Sequence, residues 1–229
     1  MSRIAIKLSK PSTFLVSEFV VIVLGVLVAL AVDNWSQERQ DNKTKAHLIQ
    51  SLLSDLREDR GDYQGFVEDC NARHAAANFI NALVANRSER TDADYENARE
   101  ALRRLGSTSR IETVESTFRE MSSLGSAATI GDDELRIRIS HYYGLARDRA
   151  DLNEFLWSGI LRYRGSLEEV GVSFVDQEQM DVDAVLNNKK SLAIIRELGV
   201  LANFAGSIVA DLQEENSDLI ATLEALQEE

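Results

Sequence analysis

The ionisable side chain in the most unusual setting is Glu18, which directly precedes an unbroken apolar run at residues 19–32. A charge inside a membrane span is costly to bury and commonly serves ion transfer or a contact between helices. If Trp35 lies at one membrane interface, a span of about 20 residues puts Glu18 about one helical turn inside the opposite boundary. Two interpretations stay open: a carboxylate near the headgroups, reached by water or paired with Lys10 or a neighbouring subunit, or an ion relay or polar contact to a partner helix.

A second candidate site is aromatic and basic. Tyr142, Tyr143 and Arg147 lie close together on one predicted helix, where they could line a groove for a ligand or a partner protein. Core packing is the alternative for the tyrosines, because buried aromatic rings supply large contact areas. The same predicted helix carries arginines that suit either ion pairs with acidic helices or an anionic ligand held between helices: Arg136, Arg138, Arg147, Arg149, Arg162 and Arg164.

Motifs for metal or phosphate chemistry are absent from the sequence, which has no His-Glu-x-x-His, Cys-x-x-Cys or Glu-x-x-His spacing. Cys70 and His74 lie one turn apart and could share a metal, but two ligands fall short of a normal site and a cysteine in an apolar stripe commonly packs. The acidic residues 132–134 suit a helix start, where the dipole favours carboxylates. We therefore predict no catalytic residue, no metal and no cofactor, and a protein that is not an enzyme.

The charge distribution excludes nucleic acid as a partner of the main domain. The formal charge of the 229-residue chain is −13; residues 1–32 contribute +2, so residues 33–229 carry −15. Nucleic-acid binding depends on Lys and Arg at phosphates, and an anionic lipid surface also repels an acidic domain. One proline and 12 glycines favour long helices. The single cysteine, Cys70, permits no intrachain disulfide.

Residues 13–35 are predicted to form one transmembrane helix after a short basic cytoplasmic tail, residues 1–12. Residues 14–35 make about 33 Å of helix, enough to cross a hydrocarbon core of about 30 Å. Trp35 suits an interfacial anchor. Gly25 and Ala29 form a small-xxx-small pair, which lets membrane helices pack closely.

Two properties of this segment have alternatives. The basic start, the apolar run and the Ala-Leu-Ala sequence at 29–31 also fit a cleaved signal peptide, although an apolar stretch that reaches back to residue 14 is long for one. Three lysines and arginines flank the span on each side, but those on the short N-terminal tail have the greater influence on its orientation. We expect the N-terminus in the cytoplasm and residues 36–229 outside, with these flanks: Arg3, Lys7 and Lys10 before the span, and Arg39, Lys43 and Lys45 after it.

Residues 36–229 are predicted to form an acidic all-α domain, because apolar residues recur there every three or four positions. Long helices are expected at about 46–86, 133–164 and from 184 or 189 to 228. Residues 33–45 form a helical extension or a linker, and residues 165–182 a loop. Thr91 or Asp92 caps one short helix that ends at Gly106, and a second at about 114–124 ends at Gly125. Amphipathic helices bury their apolar stripes together, so we expect an elongated antiparallel bundle with the short helices at one end.

Two stretches resemble a widespread family of uncharacterised bacterial proteins. SEFVVIVLGVLVALAVDNW, followed by LIQSLLSDLREDR, is similar to the start of that family, and TFREMSSLGSAATIGDDELRIRISHYY resembles its middle motif. Glu18, Gly25 and Trp35 match the family pattern, whereas Asp33 stands where the family more often has asparagine. The resemblance covers about a quarter of the chain. It implies a bacterial membrane-anchored helical protein and supports an anchor that is retained, and it assigns no activity.

The sequence therefore predicts a non-enzymatic scaffold or accessory subunit. It would be held by membrane lipid around the anchor and would bind another protein or a second copy of itself. Two alternatives stay open: a periplasmic helical module that binds a small ligand near Tyr143 and Arg147, and an ion-coupled transmembrane subunit that uses Glu18.

Overall fold

A computed structural model of the chain describes residues 12–86, 88, 90–107, 109–124, 130–173 and 180–227. These residues contain helices and no strand, which confirms the predicted all-α class. In chain order the helices are α1 (Ser12–Ala85), α2 (Asp92–Leu105), α3 (Ser116–Leu124), α4 (Asp133–Glu168), α5 (Val182–Asn187) and α6 (Lys189–Gln227).

Helix α1 joins segments that the sequence treats separately. The predicted membrane helix, the polar residues 33–45 and the helix expected at about 46–86 form one element, so the polar stretch is a helical extension. Gly61 and Gly65 lie inside this helix without ending it. The chain divides into two compact units, one up to His47 and one from Leu48, and each is described by itself. The basic tail up to residue 11 lies outside the described residues.

The unit up to His47 has an exposed apolar surface at residues 19–32. The exposed fraction of its large apolar side chains runs from 38% at Val23 to 67% at Phe19 and Val21. By length and composition, α1 and α6 are both apolar enough to cross a membrane. The most apolar stretch of α1 is 0% buried and that of α6 is 56% buried. A core helix of a water-soluble domain therefore also fits α6, whereas the apolar surface of α1 has no protein cover among the described residues.

The unit from Leu48 onward is built around two apolar clusters. The first joins the middle of α1 to α3, α4 and the second half of α6, and the second joins the end of α1 to α2, α5 and the start of α6. Burying each large apolar side chain contributes about 1.5–3 kcal/mol. Fully or nearly fully buried members include Leu52, Leu56, Tyr142, Met121 and Leu212 in the first cluster, and Ile80, Leu102, Val185 and Ile195 in the second.

Side-chain caps fix the starts of α2 and α4. Thr91 caps α2 and forms a reciprocal capping box with Asp94, and the Asp132 carboxylate accepts a hydrogen bond from the Leu135 N–H at 2.9 Å at the start of α4. Gly106 ends α2 with a right-handed φ of −87°, so this end does not use the left-handed geometry that favours glycine. Gly125, the predicted end of α3, lies outside the described residues.

The region between α4 and α6 is more helical than the sequence predicts. Helix α4 continues to Glu168, and a turn at Gly171, whose φ is +96°, follows it. The predicted loop at 165–182 therefore begins four residues later, and α5 forms a separate short helix before the last one. Asn188 separates α5 from α6, and its side-chain oxygen accepts the Lys190 N–H at 2.9 Å.

Helices α1 and α6 pack closely against each other at two glycines of α6. A Cβ added at Gly199 would lie 2.5 Å from the Ala77 Cβ, and one at Gly206 would lie 3.0 Å from the Cys70 Cβ. The two contacts are seven residues apart on both helices, at Cys70 and Ala77 on α1 and at Gly199 and Gly206 on α6. Small residues therefore recur on one face of each helix. The absence of a side chain at Gly199 is therefore a packing requirement.

We expect Gly199→Ala to lower the free energy of unfolding by about 1–3 kcal/mol, because the new methyl group forces α1 and α6 apart. Gly144→Ala is the matched control: it lies inside α4, a Cβ there meets nothing within 4 Å, and alanine is the better helix former. Thermal unfolding of the full-length protein in mild detergent, followed by circular dichroism, measures both changes. Equal melting temperatures for the two variants would contradict this packing.

Candidate functional site

The most distinctive polar feature of the described residues is a fully buried carboxylate, Asp59 on α1, which is 0% exposed. One of its oxygens accepts the Val114 N–H at 2.7 Å and the other accepts the Tyr142 hydroxyl, also at 2.7 Å. A buried carboxylate without such donors would cost several kcal/mol. The two hydrogen bonds therefore connect α1 to α4 and to residues 109–115, the segment before α3.

Tyr142 is the centre of the network around Asp59. Its hydroxyl oxygen accepts a hydrogen bond from the Asn216 side-chain amide at 3.0 Å and lies 3.2 Å from the Tyr63 hydroxyl. Asn216 also donates to the Leu56 carbonyl at 3.0 Å. Because Tyr63, Tyr142 and Asn216 are all 0% exposed, the network is closed to solvent in this structure and joins α1, α4 and α6.

The electrostatics single out Asp59 as the titrating group of this network. Burial raises the pKa of Asp59 to about 6, against the lowering effect of the hydrogen bonds from Tyr142 and Val114. Asp55 and Asp62 raise it further by charge repulsion. Burial also raises the pKa of Tyr63, to about 12, and raises that of Tyr142 far above its ordinary value. Both phenols therefore stay neutral, whereas Asp59 gains or loses a proton near neutral pH.

The segment before α3 has no regular secondary structure and is held by polar side chains of α1. Asp55 accepts the Thr117 N–H at 3.0 Å and the Ser116 hydroxyl at 2.9 Å, so α1 supplies a cap for α3. Thr113 pairs with the Tyr63 hydroxyl at 2.8 Å. These contacts satisfy backbone and hydroxyl groups that would otherwise be left unpaired away from water.

Arg73 of α1 holds the residues that follow α2 in the same way. Its guanidinium, on a residue only 4% exposed, donates to the Ser107 carbonyl at 3.2 Å and to the Ser109 hydroxyl at 2.8 Å. It also contacts the Cys70 sulfur at 3.4 Å. Burial raises the pKa of the Cys70 thiol despite this cation, so the thiol stays protonated and unreactive.

The residues predicted to line a groove lie in and beside this network. Tyr142 and Tyr143 are 0% exposed, and Tyr143 stacks on Phe118 with ring centroids 4.4 Å apart. Arg147 is exposed and holds Glu115 through two hydrogen bonds of 2.8 and 3.1 Å. These bonds lower the pKa of Glu115. In this structure the two tyrosines are core residues and Arg147 is an ion-pair partner, and a binding role for the three stays a prediction.

The predicted membrane residues lie on the exposed part of α1. Glu18, Gly25 and Ala29 are exposed, and a Cβ at Gly25 would meet nothing within 4 Å. Trp35 is 60% exposed, and the Arg39 guanidinium lies 5.6 Å from its ring centre. These residues are therefore free to face lipid or another chain, and their roles there stay predictions.

The Cys70 and His74 pair does not converge on a metal. His74 bonds through Nδ1 to the Gly199 carbonyl at 3.0 Å and through Nε2 to the Asn78 amide at 3.0 Å. Both ring nitrogens are thus engaged. No group of three or more His, Cys, Asp or Glu residues positioned for a metal occurs in the part of the chain that the structure describes.

Sequence reasoning did not single out Asp59, Tyr63 and Asn216 as one site. A signal was present, because Asp59 falls on the apolar stripe of α1 between Leu56 and Tyr63, and Asn216 falls between leucines on the stripe of α6. A polar residue in a core position needs a partner. The sequence does not reveal which residue of which helix supplies that partner.

Comparisons with known proteins give no family assignment: no protein-family model, no curated protein and no solved structure matches this chain. The resemblance to a bacterial membrane-anchored family therefore stays a prediction.

We expect the stability difference between the natural protein and Asp59→Asn to depend on pH. The folded pKa of Asp59, about 6, lies above its unfolded value of 3.8, so the folded state binds the proton more tightly. The contribution of Asp59 to stability is fully present below pH 3.8 and is lost as pH rises through about 6. The loss is up to about 3 kcal/mol relative to the asparagine variant.

Urea unfolding of both full-length proteins in mild detergent, at a series of pH values across that range, measures this difference. Asp62→Asn is the matched control, because Asp62 is an exposed carboxylate on the same helix. Parallel stability curves for the natural protein and Asp59→Asn would show that Asp59 has an ordinary pKa.

Proposed function

We propose that this protein is a membrane-anchored, non-enzymatic helical scaffold or accessory subunit that binds another protein or a second copy of itself. The observation that carries the proposal is the exposed apolar surface at residues 19–32. An apolar surface of this length is unfavourable in water and favourable in a bilayer core. We place the span at residues 13–35, in a bacterial inner membrane, with the N-terminus in the cytoplasm and the large domain in the periplasm.

The domain from residue 36 is proposed to be an elongated antiparallel bundle. Contacts between α1 and α6 support it, since residue numbers fall along α6 as they rise along α1: Leu56 pairs with Asn216, Cys70 with Gly206 and Ala77 with Gly199. Contacts between α4 and α6 follow the same order, from Arg138 with Thr222 to Tyr142 with Asn216. Helices that meet along their length in this order form a bundle core.

A binding role fits the chemistry of the described residues better than catalysis does. Catalysis requires polar groups that a substrate can reach. Asp59 and its phenolic partners are buried and hydrogen-bonded to each other, and the exposed ion pair of Glu115 and Arg147 is already satisfied. This arrangement stabilises helices and leaves binding to be carried by the exposed surfaces.

We expect the full-length protein to stay in the membrane fraction after alkaline carbonate washing. The double substitution Leu24→Arg with Leu27→Arg should release it, since each arginine costs about 2.5–3.5 kcal/mol near the centre of a span. Leu24→Ala with Leu27→Ala is the matched control and should remain in the membrane. The intact mass of the purified protein checks retention of the span, and a mass that corresponds to cleavage near residue 31 would contradict the anchor.

We expect the protein extracted in gentle detergent to have a native mass above that of one chain with its micelle. The anchored scaffold should either carry a co-purifying protein or form a defined oligomer. Native mass spectrometry with identification of the released subunits distinguishes these two forms. A monomer at the concentration found in cells, with no other subunit, would rule out the scaffold function while leaving the anchor intact.

A further inference from the structure

A surface groove lined by residues of α4 and α6 contains the highly exposed side chain of Phe155. Its cavity is about 270 Å³ and is lined by Phe155, Gly159 and Arg162 of α4 and by Leu201 of α6, among others. Phe155 is 73% exposed, although a phenylalanine ordinarily contributes to stability by burial. We name this surface the α4–α6 groove.

Two further exposed apolar side chains lie close to Leu201 along α6. Val200 is 63% exposed and Phe204 is 46% exposed, and they lie one turn apart beside Leu201. On α4, a Cβ added at Gly159 would meet nothing within 4 Å, so the cavity is open at this glycine. Contiguous exposed apolar surface of this kind marks an interaction site more often than isolated residues do.

Carboxylates flank the apolar residues on both helices. On α4, Asp148 and Asp151 lie two turns and one turn before Phe155. On α6, Glu197 and Asp211 lie seven residues before and after Phe204 and so share its face. All four carboxylates are exposed, and Arg162 is the cation that lines the cavity. None of the four lines the cavity itself, but on these two helix faces they outnumber Arg162, in keeping with the charge of −15 on residues 33–229, and we call the four carboxylates the acidic rim.

We propose that the α4–α6 groove binds an amphipathic helix of another protein whose apolar face is flanked by lysines and arginines. This proposal rests on the proposed scaffold function and names the class of its partner. An amphipathic helix fits because it presents apolar anchors at intervals of three and four residues to a groove between two helices. The acidic rim selects basic flanks, since opposite charges accelerate association and suppress wrong partners.

A second copy of this chain is a poorer occupant of the same groove. Two copies that met through it would bring the same carboxylates, Asp148, Asp151, Glu197 and Asp211, close to one another. Like charges that face each other across an interface are unfavourable. A basic partner converts the same rim into a source of attraction.

The test is photo-crosslinking of the full-length protein in cells of its source organism, with p-benzoylphenylalanine placed at Phe155. Ile137 is the matched control position, because it is an apolar residue of α4 that is 68% exposed and lies outside the groove. We expect a protein adduct from position 155 and none from position 137. The crosslinked peptide should be amphipathic and should carry a net positive charge.

Charge reversal tests the acidic rim. Asp151→Lys with Glu197→Lys should lower the adduct yield by about tenfold, because two attractions become repulsions. Glu58→Lys with Glu134→Lys makes the same change in net charge at exposed positions outside the groove and should leave the yield unchanged. Circular dichroism of each purified variant verifies that it folds, so a lost adduct reports on the groove.

Several outcomes would overturn the proposal. These are an adduct to a second copy of this chain, an adduct only to lipid, equal adducts at both positions, a crosslinked peptide without excess positive charge, and no adduct at position 155. If position 155 gives no adduct while a partner still co-purifies with the protein, the groove is refuted and the scaffold function stands. If the protein also purifies as a monomer with no other subunit, both proposals fail.

Discussion

The arrangement of the helices from Leu48 onward depends on keeping the Asp59 carboxylate away from water and fully hydrogen-bonded. Its donors come from α4 and from the segment before α3, and Asn216 of α6 completes the network through Tyr142. A buried carboxylate adds little net stability, but the loss of its partners is expensive. A shift of any helix by one residue would break these bonds, so the network favours one register over similar apolar packings.

The same need for hydrogen-bond partners explains how the non-helical residues before α3 pack across α1. The described residues 109–115 lack regular secondary structure, and α1 supplies hydrogen-bond partners to them and to the start of α3 through Asp55, Asp59, Tyr63 and Arg73. Buried backbone groups require such partners. Helix α1 is thus both a wall of the apolar core and a polar template, which accounts for the polar residues within its apolar stripe.

The apolar surface at residues 19–32 and the α4–α6 groove suit different environments. Residues 19–32 present apolar side chains all around the helix, as a lipid environment favours. The α4–α6 groove instead presents a narrow apolar face between carboxylates, a pattern that favours an amphipathic protein helix. The proposed anchor and the proposed binding groove therefore use different parts of the chain, whereas the buried network around Asp59 serves the fold.

Local sequence patterns specify the all-α class, the apolar segment at residues 19–32 and most helix ends, because periodicity and capping are local properties. Thr91, one of the two caps predicted for α2, caps that helix, and Asp132, predicted to lie at a helix start, caps α4. Tertiary structure decided the rest. The continuous helix through residues 33–45 and the partners of Asp59 and Asn216 are not encoded by local spacing, since a polar residue in an apolar stripe shows that a partner is needed without identifying it. Only the packing of distant helices brings that partner within hydrogen-bonding distance.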